Sequence, residues 1–316
     1  MMIARHAADV KRDPTSVVTI GTFDGIHRGH RQIIDATVGG ARSRGGRSVV
    51  VTFDPHPKEV VASVRGPVRL LTTLEERLEL LQGLGVDLVY VIDFTRQFSQ
   101  QSAREFYQRN VIGEVGVSAV VVGEDHMFGR DRSAGNAELH AMGAEFGFAV
   151  CTVPACVVDG IRISSTRVRN ALSDGDVAGA ARFLGYPYRM QGRVIPGDDR
   201  GKGLGYPTAN LAPLSEKKVI PARGVYVVRV GLEGEIWYGM MNIGTRPTVT
   251  DSGVCTIEVH MFDFKGNLYG QVLTVEFLSR LREERRFTSV GELVRQLSED
   301  RERSKNVADA WKKSAE

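Results

Sequence analysis

Val17-Val18-Thr19-Ile20-Gly21-Thr22-Phe23-Asp24-Gly25-Ile26-His27-Arg28-Gly29-His30 decides the reading of the first half of this chain. An apolar, β-branched run leads into a glycine-rich turn, and a helical pattern follows. In that strand–turn–helix context His27 and His30 fall three residues apart in the first turn of a helix and share a face. A helix start also presents unpaired N–H groups and the positive end of the helix dipole. The combination suits the phosphates of a nucleotide.

The pattern repeats outward from this stretch. Residues 49–53, 88–92, 119–122 and 148–153 read as buried strands. Thr73 with Glu76, and Ser102 with Glu105, mark capped helix starts, and Leu74, Leu78 and Leu81 share one helical face. Gly83 and Gly85 are stop signals, and Leu139, Met142 and Phe146 predict a further helix. Continuous apolar strands separated by helices predict an α/β fold, a doubly wound parallel sheet covered on both faces. Its ligands belong at the carboxyl ends of the strands.

The texture changes near Gly185-Tyr186-Pro187. Shorter strand-like runs at 225–230, 236–241, 255–262 and 272–277 are separated by Gly, Pro and Asn turns. They predict an antiparallel barrel or sandwich. Ser289 with Glu292 opens a last helix carrying Val290, Leu293, Val294 and Leu297, and the charges after it read as a solvated face or frayed tail. Two domains are expected, residues 1–186 and 187–316.

The bulk properties exclude several classes. A formal charge of +3 over 316 residues argues against a dedicated nucleic-acid binder or membrane-surface protein. No apolar run approaches the ~18 residues that span a bilayer, and the N-terminal dozen residues lack a signal-peptide apolar region. Three cysteines, Cys151, Cys156 and Cys255, without CxxC spacing, fit a cytoplasmic protein better than a disulfide or zinc framework.

Three segments are expected to converge above the first sheet: the turn with His27 and His30, Phe53-Asp54-Pro55-His56-Pro57, and Ile163-Ser164-Ser165-Thr166-Arg167-Val168-Arg169. The last places hydroxyls at a helix start and arginines in its first turns, a setting for phosphate oxygens. Two such helix starts on one sheet suit a triphosphate. A metal site built from the two histidines and His56 would lack a supporting carboxylate or cysteine. Ser164 and Ser165 also fit simple helix caps.

Residues 17–30 resemble the GxFDGxHxGH signature of the HxGH nucleotidyltransferases, and residues 163–169 their ISSTxxR motif. With residues 53–57 and the 123–129 loop, the resemblance is to the adenylyltransferase module of bacterial bifunctional riboflavin kinase/FAD synthetases. It implies a Rossmann-like domain that transfers AMP from ATP to FMN. It further implies that His27 and His30 are catalytic and that Gly21, Phe23, Asp24, Ser165, Thr166 and Arg169 bind ATP with them. His56 and Asp125 would lie at the flavin. One departure stands out: His126 occupies the position where the family loop carries an aromatic residue.

The second half holds Gly197-Asp198-Asp199-Arg200-Gly201-Lys202-Gly203-Leu204-Gly205-Tyr206-Pro207-Thr208-Ala209-Asn210. Its glycines permit close approach to phosphate, but the spacing is not that of a Walker A loop. Pro207-Thr208-Ala209-Asn210 resembles the PTAN motif of riboflavin kinases. Residues 224–226, 242–248 and 257–263, and the Arg-x-Glu-x-x-Phe stretch of Arg282, Glu284 and Phe287, continue the likeness. It implies a six-stranded antiparallel β-barrel with a terminal helix. It also implies Gly201, Lys202, Thr208 and Asn210 at ATP, Thr208 and Asn210 at Mg2+, and Glu258 as general base. From strand alternation alone Glu258 reads as solvent-facing, opposite Ile257, Val259 and Met261. The partners implied are riboflavin, FMN, FAD and ATP, with no nucleic acid and no membrane.

Overall fold

The computed structural model describes residues 1–61, 68–127, 135–197, 203, 205–246 and 254–315. The chain divides into two compact units, Met1–Ser165 and Thr166–Glu316.

In the first unit six strands form one sheet: β1 (Met2–Ala4), β2 (Val17–Ile20), β3 (Ser48–Asp54), β4 (Leu88–Asp93), β5 (Ala119–Gly123) and β6 (Ala149–Val153). Their order is β1-β4-β3-β2-β5-β6, and every neighbouring pair is parallel. Parallel strands need crossovers, and these carry α1 (Arg28–Ser43), α2 (Pro57–Val61), α3 (Leu74–Gly83), α4 (Ala103–Phe106) and α5 (Asn136–Phe146). Both faces of the sheet are covered, so the central strands are mostly apolar: Val17, Val18, Val49, Val50, Val51, Val120, Val121 and Val122 are all buried. Each fully buried valine or leucine stabilises the unit by roughly 1.5–3 kcal/mol. From β2 the chain winds outward through β3 and β4, then returns to place β5 on the other side of β2. The crevice at that reversal is where a doubly wound sheet accepts ligands.

Both expected capping boxes are present, Thr73 with Glu76 and Ser102 with Glu105. The helix begun at Ser102 continues beyond α4 as π-helical turns over Tyr107–Val115. Strand β1 carried no apolar alternation to announce it. Met2 and Ile3 lie exposed at the sheet edge, and only Ala4 is buried. A short hairpin of β7 (Val157–Val158) and β8 (Ile161–Arg162) completes this unit.

The second unit opens with α6 (Ser165–Ser173), whose first residue belongs to the first unit, and α7 (Val177–Leu184). Six strands follow: β9 (Arg189–Ile195), β10 (Ala209–Pro213), β11 (Gly224–Leu232), β12 (Glu235–Arg246), β13 (Val254–Met261) and β14 (Val272–Arg282). They close into a barrel in the order β10-β13-β12-β11-β14-β9, antiparallel throughout. The barrel, not the sandwich, is the outcome because β9 pairs with both β10 and β14 and leaves no sheet edge. The α6–α7 connection docks on β14, where Arg280 Nη1 donates to the carbonyl of Asp174 at 3.3 Å.

The final helix α8 (Val290–Ala315) is longer than its apolar pattern suggests. The charged stretch expected to be solvated or frayed is helical, and it buries a polar stripe of Gln296, Asp300 and Ser304, extended by Ala308. Asp300 is 0% exposed and takes a two-pronged contact from Arg282 of β14, Nε and Nη2 lying 2.9 and 2.8 Å from Oδ2. Gln296 Nε2 donates to the same carboxylate at 2.9 Å. At the helix start Glu292 N–H bonds Ser289 Oγ as expected, but the Glu292 carboxylate reaches back to Thr288.

Removing one partner of a buried ion pair strands the other charge and costs about 3–5 kcal/mol. Asp300→Ala is therefore expected to lower the stability of the second unit by ~3 kcal/mol. Both tryptophans, Trp237 and Trp311, lie in this unit, so urea unfolding followed by tryptophan fluorescence checks it.

Candidate active sites

The first site is the turn between β2 and α1. Phe23 (φ +48°) and Ile26 (φ +32°) occupy the left-handed region that side chains avoid, and Gly25 (φ +84°) lies between them. Such strain persists only where the surroundings over-determine it. Here Phe23 and Ile26 are buried, and Asp24 acts as a clamp. The Asp24 carboxylate, 1% exposed, accepts the N–H groups of Leu71 and Thr72, each at 2.9 Å from Oδ1. Thr72 Oγ1 in turn accepts the N–H of Gly25 at 3.0 Å. These bonds tie the turn to the segment entering α3.

His27 is the N-cap of α1, and its Nδ1 accepts the backbone N–H of His30 at 3.3 Å. That bond leaves Nε2 to carry the proton. The two imidazoles stack, with centroids 3.6 Å apart and planes 19° apart. Phe23 packs edge-on against His30 at 5.3 Å. Gly21 lies in the same turn, where a Cβ would come 3.1 Å from the Phe23 ring. Burial, then the neighbouring His27 and Arg77, hold His30 well below its ordinary pKa of 6.5, so it is neutral near pH 7. Ser165 joins this group: its hydroxyl donates to the Asp24 carbonyl at 2.9 Å.

His56 and Asp125 follow the carboxyl ends of β3 and β5. His56 is buried, and its Nδ1 accepts the N–H of Lys58 at 3.1 Å as α2 begins. Asp125 is exposed and forms an ion pair with Arg162 of β8. Thr166 and Arg169 lie on α6 in the second unit, exposed and half-buried respectively. Phe128 and Gly129 of the 123–129 loop lie outside the described residues.

Arg77 was not anticipated. It is 1% exposed in α3, and its Nη1 donates to Thr52 Oγ1 at 2.8 Å and to the Phe53 carbonyl at 3.3 Å. Its buried positive charge acts electrostatically on His30. Its sequence signal was an arginine in register with Leu74, Leu78 and Leu81 on an otherwise apolar helical face.

The second site is a row across the barrel wall. Register places Asn210 of β10 opposite Glu258 of β13, Glu258 opposite Asn242 of β12, Asn242 opposite Val225 of β11, and Val225 opposite Arg282 of β14. Directly opposed residues share a face, so one face collects this row while Ile257, Val259 and Met261 fill the other. Thr208, just ahead of β10, donates its hydroxyl to Glu258 Oε2 at 3.3 Å. The Asn210 amide lies against Gly197, where a Cβ would come 1.9 Å from Nδ2, so a glycine makes room for it. A cavity of about 250 Å3 opens on this face, lined by Thr208, Glu258, His260, Arg282 and Phe287 and closed in part by Leu297 of α8. Glu258 therefore faces a cavity shaped by α8 and not open solvent. Gly201 and Lys202, with Asp198, Asp199 and Arg200, lie outside the described residues, as do Pro247 and Thr248.

Residues 9–167 match the FAD synthetase family and residues 184–308 the riboflavin kinase family. The bifunctional riboflavin kinase/FMN adenylyltransferase of Pseudomonas fluorescens is 41% identical over 284 residues, covering 90% of each chain. That of Escherichia coli K12 is 40% identical over 286 residues, again 90% of each. This chain belongs to the bifunctional riboflavin kinase/FMN adenylyltransferase family. A crystal structure described as a macrolide-efflux protein from Streptococcus pneumoniae is also similar, at 34% identity and a TM-score of 0.88 over 96% of this chain and 98% of that one. Among the described residues, no helix is long and apolar enough to cross a membrane.

The low pKa of His30 has a consequence for stability. Between the folded value and about 6.5 the unfolded chain binds a proton that the folded chain does not. Stability is thus full above about pH 6.5 and declines as pH falls toward the folded value. His30→Gln is expected to lose less stability than wild type between about pH 6.5 and 5. Urea midpoints by far-UV circular dichroism across this range test it, and equal acid losses would refute it.

Proposed function

We infer that this chain makes FAD from riboflavin in two ATP-dependent steps. The second unit phosphorylates riboflavin to FMN, and the first transfers AMP from ATP to FMN, releasing pyrophosphate. The observation that carries the reading is the occurrence in one chain of both family matches, each over a unit with its own polar site. The functional boundary is assigned to 186/187, so that residues 1–186 serve adenylyl transfer and 187–316 serve the kinase. The chain works in the cytoplasm on small molecules, without nucleic acid.

In adenylyl transfer the FMN phosphate is already anionic near neutral pH and needs no strong base. Its oxygen attacks the α-phosphorus of ATP as the bond to pyrophosphate breaks. The enzyme's task is to position the reactants and offset charge at the α-phosphorus and on the leaving group. His27 and His30 are assigned that role, with Gly21, Phe23, Asp24, Ser165, Thr166 and Arg169 around the nucleotide. Asp24 contributes through the turn it clamps, since its carboxylate already accepts backbone N–H groups. His30, neutral in the free protein, is drawn toward protonation by an arriving triphosphate, because nearby negative charge favours the cation. His56 and Asp125 are assigned to the flavin side, where Asp125 exchanges its contact with Arg162 for one with the substrate.

In the kinase step the riboflavin 5′-hydroxyl is a weak nucleophile. Glu258 accepts its proton as the γ-phosphoryl group transfers and ADP departs. The Thr208 hydroxyl bonded to Glu258 supports this placement by orienting the carboxylate. Thr208 and Asn210 offer a hydroxyl and an amide oxygen, hard donors that fit Mg2+ brought in on nucleotide phosphates. Bound there, the ion neutralises phosphate charge. Gly201 and Lys202 are assigned to ATP on the resemblance of their segment alone.

Purified protein with riboflavin, ATP and magnesium should yield FMN first and FAD later; failure to form either product overturns the reading. The two chemistries should also separate. His30→Ala is expected to depress FAD formation from FMN by about 100-fold or more, with FMN formation little changed. Glu258→Gln is expected to do the reverse, by about 10²–10⁴-fold. Equal loss of both rates in folded variants would contradict two separate sites.

A further inference from the structure

We propose that His260 is a positioning residue for phosphoryl transfer, holding Thr208 against Glu258 through a hydrogen bond from its Nδ1–H to the carbonyl of Pro207. The proposal rests on the kinase reading of the second unit.

The β10–β13 ladder is short. Its paired residues are Asn210 with Glu258 and Ala209 with Val259, and it ends there. The next position in register would set Thr208 against His260. Pro207 has no N–H with which to extend a ladder, so the backbone has lost one of its means of holding this segment just where it carries Thr208. The His260 side chain supplies the missing tether: Nδ1 lies 2.8 Å from the Pro207 oxygen. A carbonyl oxygen only accepts, so Nδ1 bears the proton.

The ring is fixed for this task. It is 7% exposed, edge-on to Tyr206 at 5.5 Å and to Phe262 at 5.7 Å. Two residues from Glu258 on the same strand, it shares that residue's face and lines the same cavity. Burial, the largest influence, keeps the imidazole below its ordinary pKa of 6.5, and the Arg301 cation acts in the same direction. Pro207 and Asp263 pull the other way. The neutral ring thus donates through Nδ1 and leaves Nε2 without a proton. Loss of the tether would free the Pro207–Thr208 peptide. The hydroxyl would then be misplaced for both the nucleotide and Glu258, and a misplacement of about 1 Å can cost 10²-fold in rate.

The test compares three substitutions in the full chain. Asn places an amide N–H near the position of Nδ1, Gln places one near Nε2, and Ala removes both. His260→Ala is expected to lower kcat for FMN formation at least tenfold and raise the KM for ATP, with the KM for riboflavin within threefold of wild type. His260→Asn is expected to recover to within threefold of wild type, and His260→Gln is not. FAD formation from supplied FMN serves as the internal control and should not change. An alanine variant with wild-type kinetics overturns the proposal, as does equal loss in the Asn and Gln variants, which would assign the effect to lost ring packing. Should the alanine variant fail to fold, judged by tryptophan fluorescence, the Asn–Gln comparison decides alone. Wild-type protein that makes no FMN overturns the kinase reading and this proposal with it. Wild-type turnover with Asn no better than Gln overturns the proposal alone.

Discussion

A parallel sheet must return its chain to the same end after every strand, and the direction of that return can reverse only at a defined point. Here it reverses at β2, which lies between β3 and β5. Crossovers on either side diverge at this point, leaving a crevice at the carboxyl ends of β2 and β5. The turn that follows β2 must therefore be both compact and exposed to ligand. Its strained residues Phe23 and Ile26 are tolerated because Asp24 binds the backbone ahead of α3, and because both side chains are buried. The histidine pair at the start of α1 inherits its placement from that clamp.

The second unit solves a different problem. A barrel wall has one face for its core, and a polar row on the other face would ordinarily meet water. Asn210, Glu258 and Asn242 are instead aligned by three-strand register and partly roofed by α8. The helix is held in place by the buried Arg282–Asp300 contact. Arg282 ends β14 and also lines the cavity, so a single side chain links helix docking to the shape of the site. A buried ion pair contributes little net stability compared with an apolar contact. Its directional geometry fixes one orientation of α8 against the strand, which suits a roof over the cavity.

Much of this was legible in the sequence, for identifiable reasons. The central strands are buried on both faces and so read as continuous valine runs. The helix starts at Thr73 and Ser102 are set by local bonds that three residues encode. His27 and His30 could be placed on one face because helical periodicity is fixed. What escaped were features made by long-range contact. Strand β1 exposes Met2 and Ile3 and buries only Ala4, so no alternation marks it. The second half of α8 hides Asp300 and Ser304 among surface charges, and nothing local says that Arg282 waits opposite. Glu258 read as solvent-facing by alternation, because alternation assigns a face but not what lies over it.

The two sites also differ in how they handle charge, and the difference follows from their reactions. Adenylyl transfer begins with an anion that is already nucleophilic, so in the proposed site a neutral His30, stacked on His27 and influenced by the buried Arg77, can remain poised until the triphosphate arrives. Phosphorylation of a hydroxyl begins with a group that must lose a proton, so a carboxylate has to be present and open to the cavity from the start. In the proposed kinase step Glu258 meets that need on a strand, where its neighbours in register are the amides of Asn210 and Asn242. Neither amide adds a formal charge that would compete for the proton. A barrel wall can supply such a row of uncharged polar partners because register sets them side by side, whereas a helix start supplies oriented N–H groups for phosphate. Each unit thus offers the backbone geometry that its own step requires.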